Sequence, residues 1–162
     1  MVELGVEAGR VEDFAIWVQP HLPAMTRLAA RLVSRSDAED VVQEALVRAW
    51  RRRSTYDAAR GSELAWLLAI VADRARRHRT RARTALNLVD VATEPDTRDL
   101  DLERALDRLG TRQRLAVDLH YFVGLDVLTC AQVMGCAEGT VKATLHQARE
   151  RLRGLLAEGA GT

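Results

Sequence analysis

Six arginines fall within ten residues, Arg74, Arg76, Arg77, Arg79, Arg81 and Arg83, with His78 among them. Cations this close on one helix repel each other until an anion neutralises them. The polyanion that suits a linear run of guanidinium groups is nucleic acid, whose phosphates dominate its affinity for proteins. A second set of candidate contacts lies near the C-terminus: Thr140, Lys142, Ala143, Thr144, His146, Gln147 and Arg149. These combine small, amide and cationic side chains of the kind that meet base edges and phosphates in a major groove. Catalysis has less to stand on. His21, His78, His120 and His146 are scattered, and no nucleophile or carboxylate pair accompanies them. The expectation is a binding protein rather than an enzyme, with no cofactor and no metal. Cys130 and Cys136 form neither a disulfide framework nor a C-x-x-C pair, so both are expected to be buried thiols.

The elements that must position these residues read as helices, with almost no strand alternation. The arginines run out of an apolar stripe of Trp66, Leu67, Ile70 and Val71, so one helix, capped by Ser62, has a buried half and a cationic half. Before it comes a loop from Ser54 to Gly61. Helices are expected at 11–19 and 23–34, separated by Pro20 and Pro23. Ser36, followed by Asp37, Ala38 and Glu39, reads as a capping box opening a helix to about Arg53. Its apolar positions are Val41, Val42, Ala45, Leu46, Ala49 and Trp50, and Trp50 and Trp66 are assigned to the core.

Residues 1–83 make a first domain on this reading. Periodicity then fails over 84–100, which carries Pro95 and a run of acids, giving a flexible acidic linker. A second domain, 101–162, has helices at 101–109, 112–122, 127–134 and 138–157, punctuated by Gly110, Gly124 and Gly135. Short helix, three-residue turn and longer helix is the rhythm of a helix-turn-helix. The fold class is all-α: two small helical domains, the second a helix-turn-helix domain.

The formal net charge of +1 conceals a sorted distribution. Residues 1–83 carry +4, residues 84–101 carry −4, and residues 102–162 carry +1. Hydrophobic residues at 48% and charged residues at 29% suit an ordinary globular chain. No apolar run approaches the roughly 20 residues needed to span a bilayer, and Glu3 and Glu7 stand where a signal peptide would be basic. The expectation is a cytoplasmic protein with no membrane partner.

Placed at about 100° per residue, Val141, Leu145, Ala148, Leu152 and Leu155 share one face of the last helix. Ala143, His146, Gln147 and Glu150 face away, with Lys142, Arg149 and Arg153 on one flank and Thr140 with Arg151 on the other. Two readings stand side by side here: a recognition helix, or an amphipathic terminal helix with a solvated charged face.

Three stretches in order resemble one family. Asp37 to Trp50 (DAEDVVQEALVRAW), Ala65 to Ile70 (AWLLAI) leading into the arginines, and Gly139 to Lys142 (GTVK) with Ala148 to Arg153 (ARERLR) look like the bacterial extracytoplasmic-function sigma factors. The resemblance implies a subunit that binds core RNA polymerase, through its beta and beta-prime subunits, and directs it to promoter DNA, with no catalytic residues of its own. It implies core-polymerase contacts at Asp40, Gln43, Glu44 and Arg48. For the minus ten element it implies Tyr56, Ser62, Asp73, Arg74, Arg76, Arg77, His78, Arg79 and Arg81, with Tyr56 able to stack on a flipped base. For the minus thirty-five element it implies Thr140, Lys142, Ala143, Thr144, His146, Gln147 and Arg149. An anti-sigma factor is a further partner the family suggests.

The chain departs from the family's pattern at several positions. Asp73 stands where many relatives have Asn, and an ionised Asp only accepts hydrogen bonds, which suits a base amino group such as cytosine N4. Asp126 and Thr129 replace the usual Ser and Glu, Ala137 replaces a capping Ser, Ala143-Thr144 replaces a Ser-Arg pair, and Gly110 replaces Pro. Weakened or altered reading of the minus thirty-five element is the expectation. The acids Asp90, Glu94, Asp96, Asp99 and Asp101 read either as RNA-phosphate mimics or as a solvated spacer. Two alternative functions remain: a decoy that captures an anti-sigma factor, disfavoured by the arginines, and a helix-turn-helix repressor, disfavoured by the polymerase-binding motif.

Overall fold

A computed structural model of the chain describes residues 2–86 and 100–159, and every regular element among them is helical. The expected linker falls mostly on 87–99, outside the described residues, as do Asp90, Glu94, Asp96 and Asp99. The first unit comprises α1 (Val2–Val18), α2 (Leu22–Leu32), α3 (Arg35–Arg52) and α4 (Glu63–Leu86). The second comprises α5 (Leu100–Asp107), α6 (Thr111–Val117), α7 (Val127–Met134) and α8 (Glu138–Gly159). Among the described residues, no helix is long and apolar enough to cross a membrane.

Local chemistry sets most boundaries. Pro23 occupies the first turn of α2, where a missing N–H costs nothing. The N-cap of α3 is Ser34, not Ser36 as the sequence suggested, and its hydroxyl donates to Asp37 Oδ2 while sharing a hydrogen bond with Ser36 Oγ. The helix thus starts one residue before the expected cap, because Ser34 and Asp37 have the spacing that closes the first turn. Ser62 does cap α4, accepting from Ala65 N at 3.2 Å. Asp126 caps α7, accepting from Thr129 N at 2.7 Å, and Gly135 ends it with φ of 63°, a left-handed conformation glycine adopts freely.

Helix α6 runs into a π-helical turn, Asp118–Val123, which ends at Gly124 with φ of 86°. Widened turns of this kind recur at functional positions because they re-aim side chains. This one turns Asp118 inward, fully buried, while Tyr121 and Phe122 remain exposed.

The apolar faces of both units merge into one continuous core. Met25, Leu28, Val41, Leu67, Leu68 and Val71 from the first unit, and Leu106, Leu119, Cys130 and Val141 from the second, are almost completely buried. Helix α2 packs on the π-helical turn, and α4 packs on α7. Cys136 is half-buried rather than buried, unlike Cys130, because it follows the glycine that ends α7. Trp50 and Trp66 are also half-buried and join an aromatic cluster at the surface of the core.

Candidate nucleic-acid interface

The arginines of α4 divide into two stripes. At about 100° per residue, Arg74, Arg77, His78 and Arg81 fall on one side of the helix and Arg76, Arg79 and Arg83 on the opposite side. The first stripe leans toward α3: Arg74 shares a cleft with Asp40, Gln43, Glu44 and Arg48, His78 Nε2 stands 3.4 Å from Asp37, and Arg81 is 3.9 Å from Glu44. The second stripe faces α5 and α6, where Arg76, Arg79 and Arg83 line a cavity with Arg31 and Arg114.

Asp73 sits where the stripes begin and accepts from Arg74 Nη2 at 2.9 Å, Arg76 Nη2 at 2.9 Å and Arg77 Nε at 3.1 Å. Burial alone would raise its carboxyl, but the hydrogen bonds from Arg76 and Arg74 and the charge of Arg77 outweigh it and hold the group at about 2. In this arrangement its oxygens orient arginines rather than standing open for a base.

The loop before α4 is built on an aromatic cluster. Tyr56 lies 5.7 Å from Trp66 and 6.0 Å from Trp17, centroid to centroid, and its hydroxyl donates to Gly61 O at 3.3 Å. Trp17, Phe14 and Trp50 extend the cluster, and Arg53 stacks over Trp50 at 3.6 Å. Sequence reasoning passed over Trp17 and Phe14, whose spacing of three on α1 was the available signal.

Helix α7 covers this loop. Ser62 N donates to Gln132 Oε1 at 3.3 Å, and the side chain of Gln132 lies beside Gly61. Between them is a cleft of ≈ 740 Å³ lined by both Tyr56 and Cys136.

The four expected polymerase contacts come together. Asp40, Gln43, Glu44 and Arg48 border one shallow cleft of ≈ 410 Å³, joined by the exposed Val47, which the sequence analysis did not single out. Gln43 Nε2 donates to Glu39 Oε1 at 3.3 Å, holding the amide along the helix.

On α8, Val141, Leu145 and Ala148 are buried, while Thr140, Lys142, Ala143, His146, Gln147 and Arg149 are exposed. Thr144 is half-buried and its hydroxyl donates to Thr140 O at 2.7 Å. Arg149 Nη1 donates to Tyr121 Oη at 2.9 Å, so the π-helical turn supplies a neighbour to this face that sequence reasoning did not find.

A buried ionic network joins the units. Asp118 accepts from Arg31 Nε at 3.0 Å through one oxygen and from Arg114 Nε at 2.9 Å through the other. Arg31 Nη1 also donates to Glu103 at 2.9 Å, and its guanidinium lies 3.7 Å from the centre of the Phe122 ring. Burial works against both charges, pushing the Asp118 carboxyl up and pulling against the Arg31 guanidinium. For Arg31 the hydrogen bond it donates to Glu103, with the charge of Asp118 and the hydrogen bond donated to it, more than offsets burial. Asp118 stays an acceptor because each of its oxygens meets a guanidinium.

Comparison with known proteins follows the same division. Residues 17–84 match the family Sigma-70 region 2, and residues 99–152 match Sigma-70, region 4. The chain is 34% identical over 152 residues to the ECF RNA polymerase sigma factor SigL of Mycobacterium tuberculosis, covering 85% of each. It is 32% identical to the RNA polymerase sigma-E factor of Streptomyces coelicolor, covering 90% of this chain and 86% of that one. Among solved structures, the sigma factor RpoE in complex with the anti-sigma factor NepR, from Bartonella quintana, superposes with a TM-score of 0.70 at 32% identity, covering 90% of this chain and 98% of that one. CnrH in complex with the cytosolic domain of CnrY superposes with a TM-score of 0.69 at 27% identity, covering 93% and 92%. Two helical units carrying these matches, in this order and over this much of the chain, make it a member of the extracytoplasmic-function sigma factors, non-enzymatic regulators of transcription initiation.

Proposed function

We propose that this chain binds core RNA polymerase and directs it to promoters. The observation that carries the reading is the convergence of Asp40, Gln43, Glu44 and Arg48 on one exposed cleft, with the arginine-bearing α4 beside it. A free-standing DNA-binding repressor has no use for such a cleft. Its mixed charge suits a partner helix of core polymerase, where complementary charges set register. Residues 1–83 form the unit that reads the minus ten element, 84–100 the linker, and 101–162 the unit that reads the minus thirty-five element through α8. The protein works in the cytoplasm.

In the minus ten unit, the loop with Tyr56 and Ser62 receives an unstacked base, and Asp73 aims Arg76 and Arg77 at backbone phosphates. Arg74, His78, Arg79 and Arg81 complete the cationic surface. In the second unit, Lys142 and Arg149 meet phosphates while Thr140, Ala143, Thr144, His146 and Gln147 approach base edges. The loop cannot take a base while Gln132 lies against it, so the units separate as polymerase and promoter engage. An anti-sigma partner is supported by the structural relative RpoE, solved in complex with the anti-sigma factor NepR.

The test is gel filtration with purified core polymerase, followed by promoter binding with and without core. Co-elution with core, and promoter binding only in its presence, are expected. Tight duplex binding by the free chain with no co-elution favours a repressor and overturns the reading.

A further inference from the structure

Between the C-terminal half of α4 and the pair α5–α6 lies a cavity of ≈ 610 Å³ lined by five arginines, Arg31, Arg76, Arg79, Arg83 and Arg114. The described carboxylates nearby are already committed. Asp107, the one acid among the described residues lining the cavity, accepts from Arg114 at 2.9 Å. Glu103 and Asp118 engage Arg31 and Arg114, and Asp73 engages Arg76. Arg79 and Arg83 have no carboxylate partner among the described residues, although Arg79 is half-buried. Arg31 is 7% exposed in its side chain, and its Nη2 is buried with no hydrogen-bond partner.

Such crowding is unfavourable in isolation. Burial first, then the charges of Arg114 and Arg83, hold the Arg79 guanidinium below its ordinary value. Two guanidiniums with no carboxylate partner among the described residues, in a cavity lined by three further arginines, match a compact anion carrying two or more charges and several oxygens. A duplex is far too large to enter a cleft of this volume, whereas a short phosphate chain presents oxygens to several arginines at once. Leu32, Leu106 and Leu109 supply an apolar wall beside the cations.

From this geometry we propose that the cavity is a binding site for a di- or triphosphate group, free or carried by a nucleotide, and that its occupation holds the two units together. The ligand bridges Arg79 and Arg83 of α4 to Arg31 and Arg114 at the junction of the units. It draws on arginines that the promoter-binding reading assigns to DNA, so its regulatory consequence rests on that reading while binding itself does not. Occupation competes with opening, and therefore with promoter engagement.

Isothermal titration of the full chain with tripolyphosphate, ATP and inorganic phosphate, at fixed ionic strength, tests the site without polymerase or promoter. Saturable one-to-one binding of tripolyphosphate is expected, tighter than inorganic phosphate. Arg79→Gln and Arg83→Gln should each weaken it by about tenfold or more, as for loss of a charge-assisted hydrogen bond. Arg151→Gln, on the exposed outer part of α8, should leave it unchanged, with circular dichroism reporting that all three variants are folded. ATP binding more tightly than tripolyphosphate assigns the apolar wall to a base, and equal affinity assigns the site to the phosphate chain alone. Absence of saturable binding, or equal weakening by Arg151→Gln, overturns the proposal.

Discussion

Arg31 Nε stands 3.0 Å from Asp118 Oδ1, although the two residues are 87 positions apart in the chain. Arg31 belongs to α2 and Asp118 to the π-helical turn, so this contact fastens the second unit to the first. Arg114 also reaches Arg31 O at 3.5 Å, reinforcing the junction through the backbone. The network carries little net stabilisation over an apolar substitute, yet removing Arg31 leaves buried Asp118 with one guanidinium where it had two, a loss of up to about 3–5 kcal/mol.

Arg31→Met should therefore separate the units without unfolding either. Asp118 keeps Arg114, so the second unit retains its internal pair. Small-angle scattering should record a larger radius of gyration with unchanged helical circular dichroism. An unchanged radius would show that apolar packing of α4 on α7 suffices to hold the units together.

Asp73 provides a pH signature. Its folded-state carboxyl lies at about 2, below its ordinary value of 3.8, so its stabilisation is fully present above about pH 4 and disappears as pH falls through about 2. Its side chain is 32% exposed, so solvent screening limits the contribution to about 1 kcal/mol. Asp73→Asn should be less stable at pH 7 by that amount, and the gap to the parent should shrink as thermal melts are repeated from pH 5 toward pH 2. A gap that stays constant with pH would mean the three arginines do not set the carboxyl's affinity for protons.

The thiols report on the same junction. Burial pushes the Cys130 thiol up to about 11, so it is a poor nucleophile in the native state, whereas Cys136 is half-buried and lines the cleft beside Tyr56. At pH 8 a disulfide reagent should modify Cys136 first and Cys130 only on unfolding. Arg31→Met should speed the Cys136 reaction by widening that cleft. Cys130 reacting first would contradict the packing of α7.

Much of this was legible in the sequence, and the exceptions have physical causes. Helix α7 was readable to the residue because Asp126 and Gly135 are local signals at its two ends. Helix α3 was readable from its apolar spacing, but its cap was misassigned because Ser34 and Ser36 both precede the acids and only the observed bond to Asp37 separates them. The six arginines read as one track by proximity, whereas the 3.6-residue period already divides them into opposite stripes. The docking of the units was not readable at all: Arg31 and Asp118 carry no local pattern, and the wide turn that buries Asp118 has no sequence signature. That Asp40, Gln43, Glu44 and Arg48 border one face of α3 was legible because helical spacing determines it, while Trp17 was missed because it reaches the loop across the fold.

On α3, charge reversal separates partner binding from folding. Asp40 is exposed, so Asp40→Arg should change stability by no more than about 0.5 kcal/mol. Its affinity for core polymerase, followed by fluorescence anisotropy, should fall by about tenfold or more through like-charge contact with the partner. Unchanged affinity would remove this face from the interface.

On α8, Thr144→Arg adds a cation to the face proposed to meet DNA. Promoter affinity of the holoenzyme should rise, with the salt dependence of binding steeper by about one unit for the added phosphate contact. A slope that does not change would place position 144 away from the DNA backbone.

The most direct test is run-off transcription with purified core polymerase on a pooled genomic template, with and without this chain, reading out start sites. The account predicts discrete new starts that share upstream elements, and their loss with Asp40→Arg. Start sites indistinguishable from those of core polymerase alone, despite a folded and core-bound chain, would contradict it.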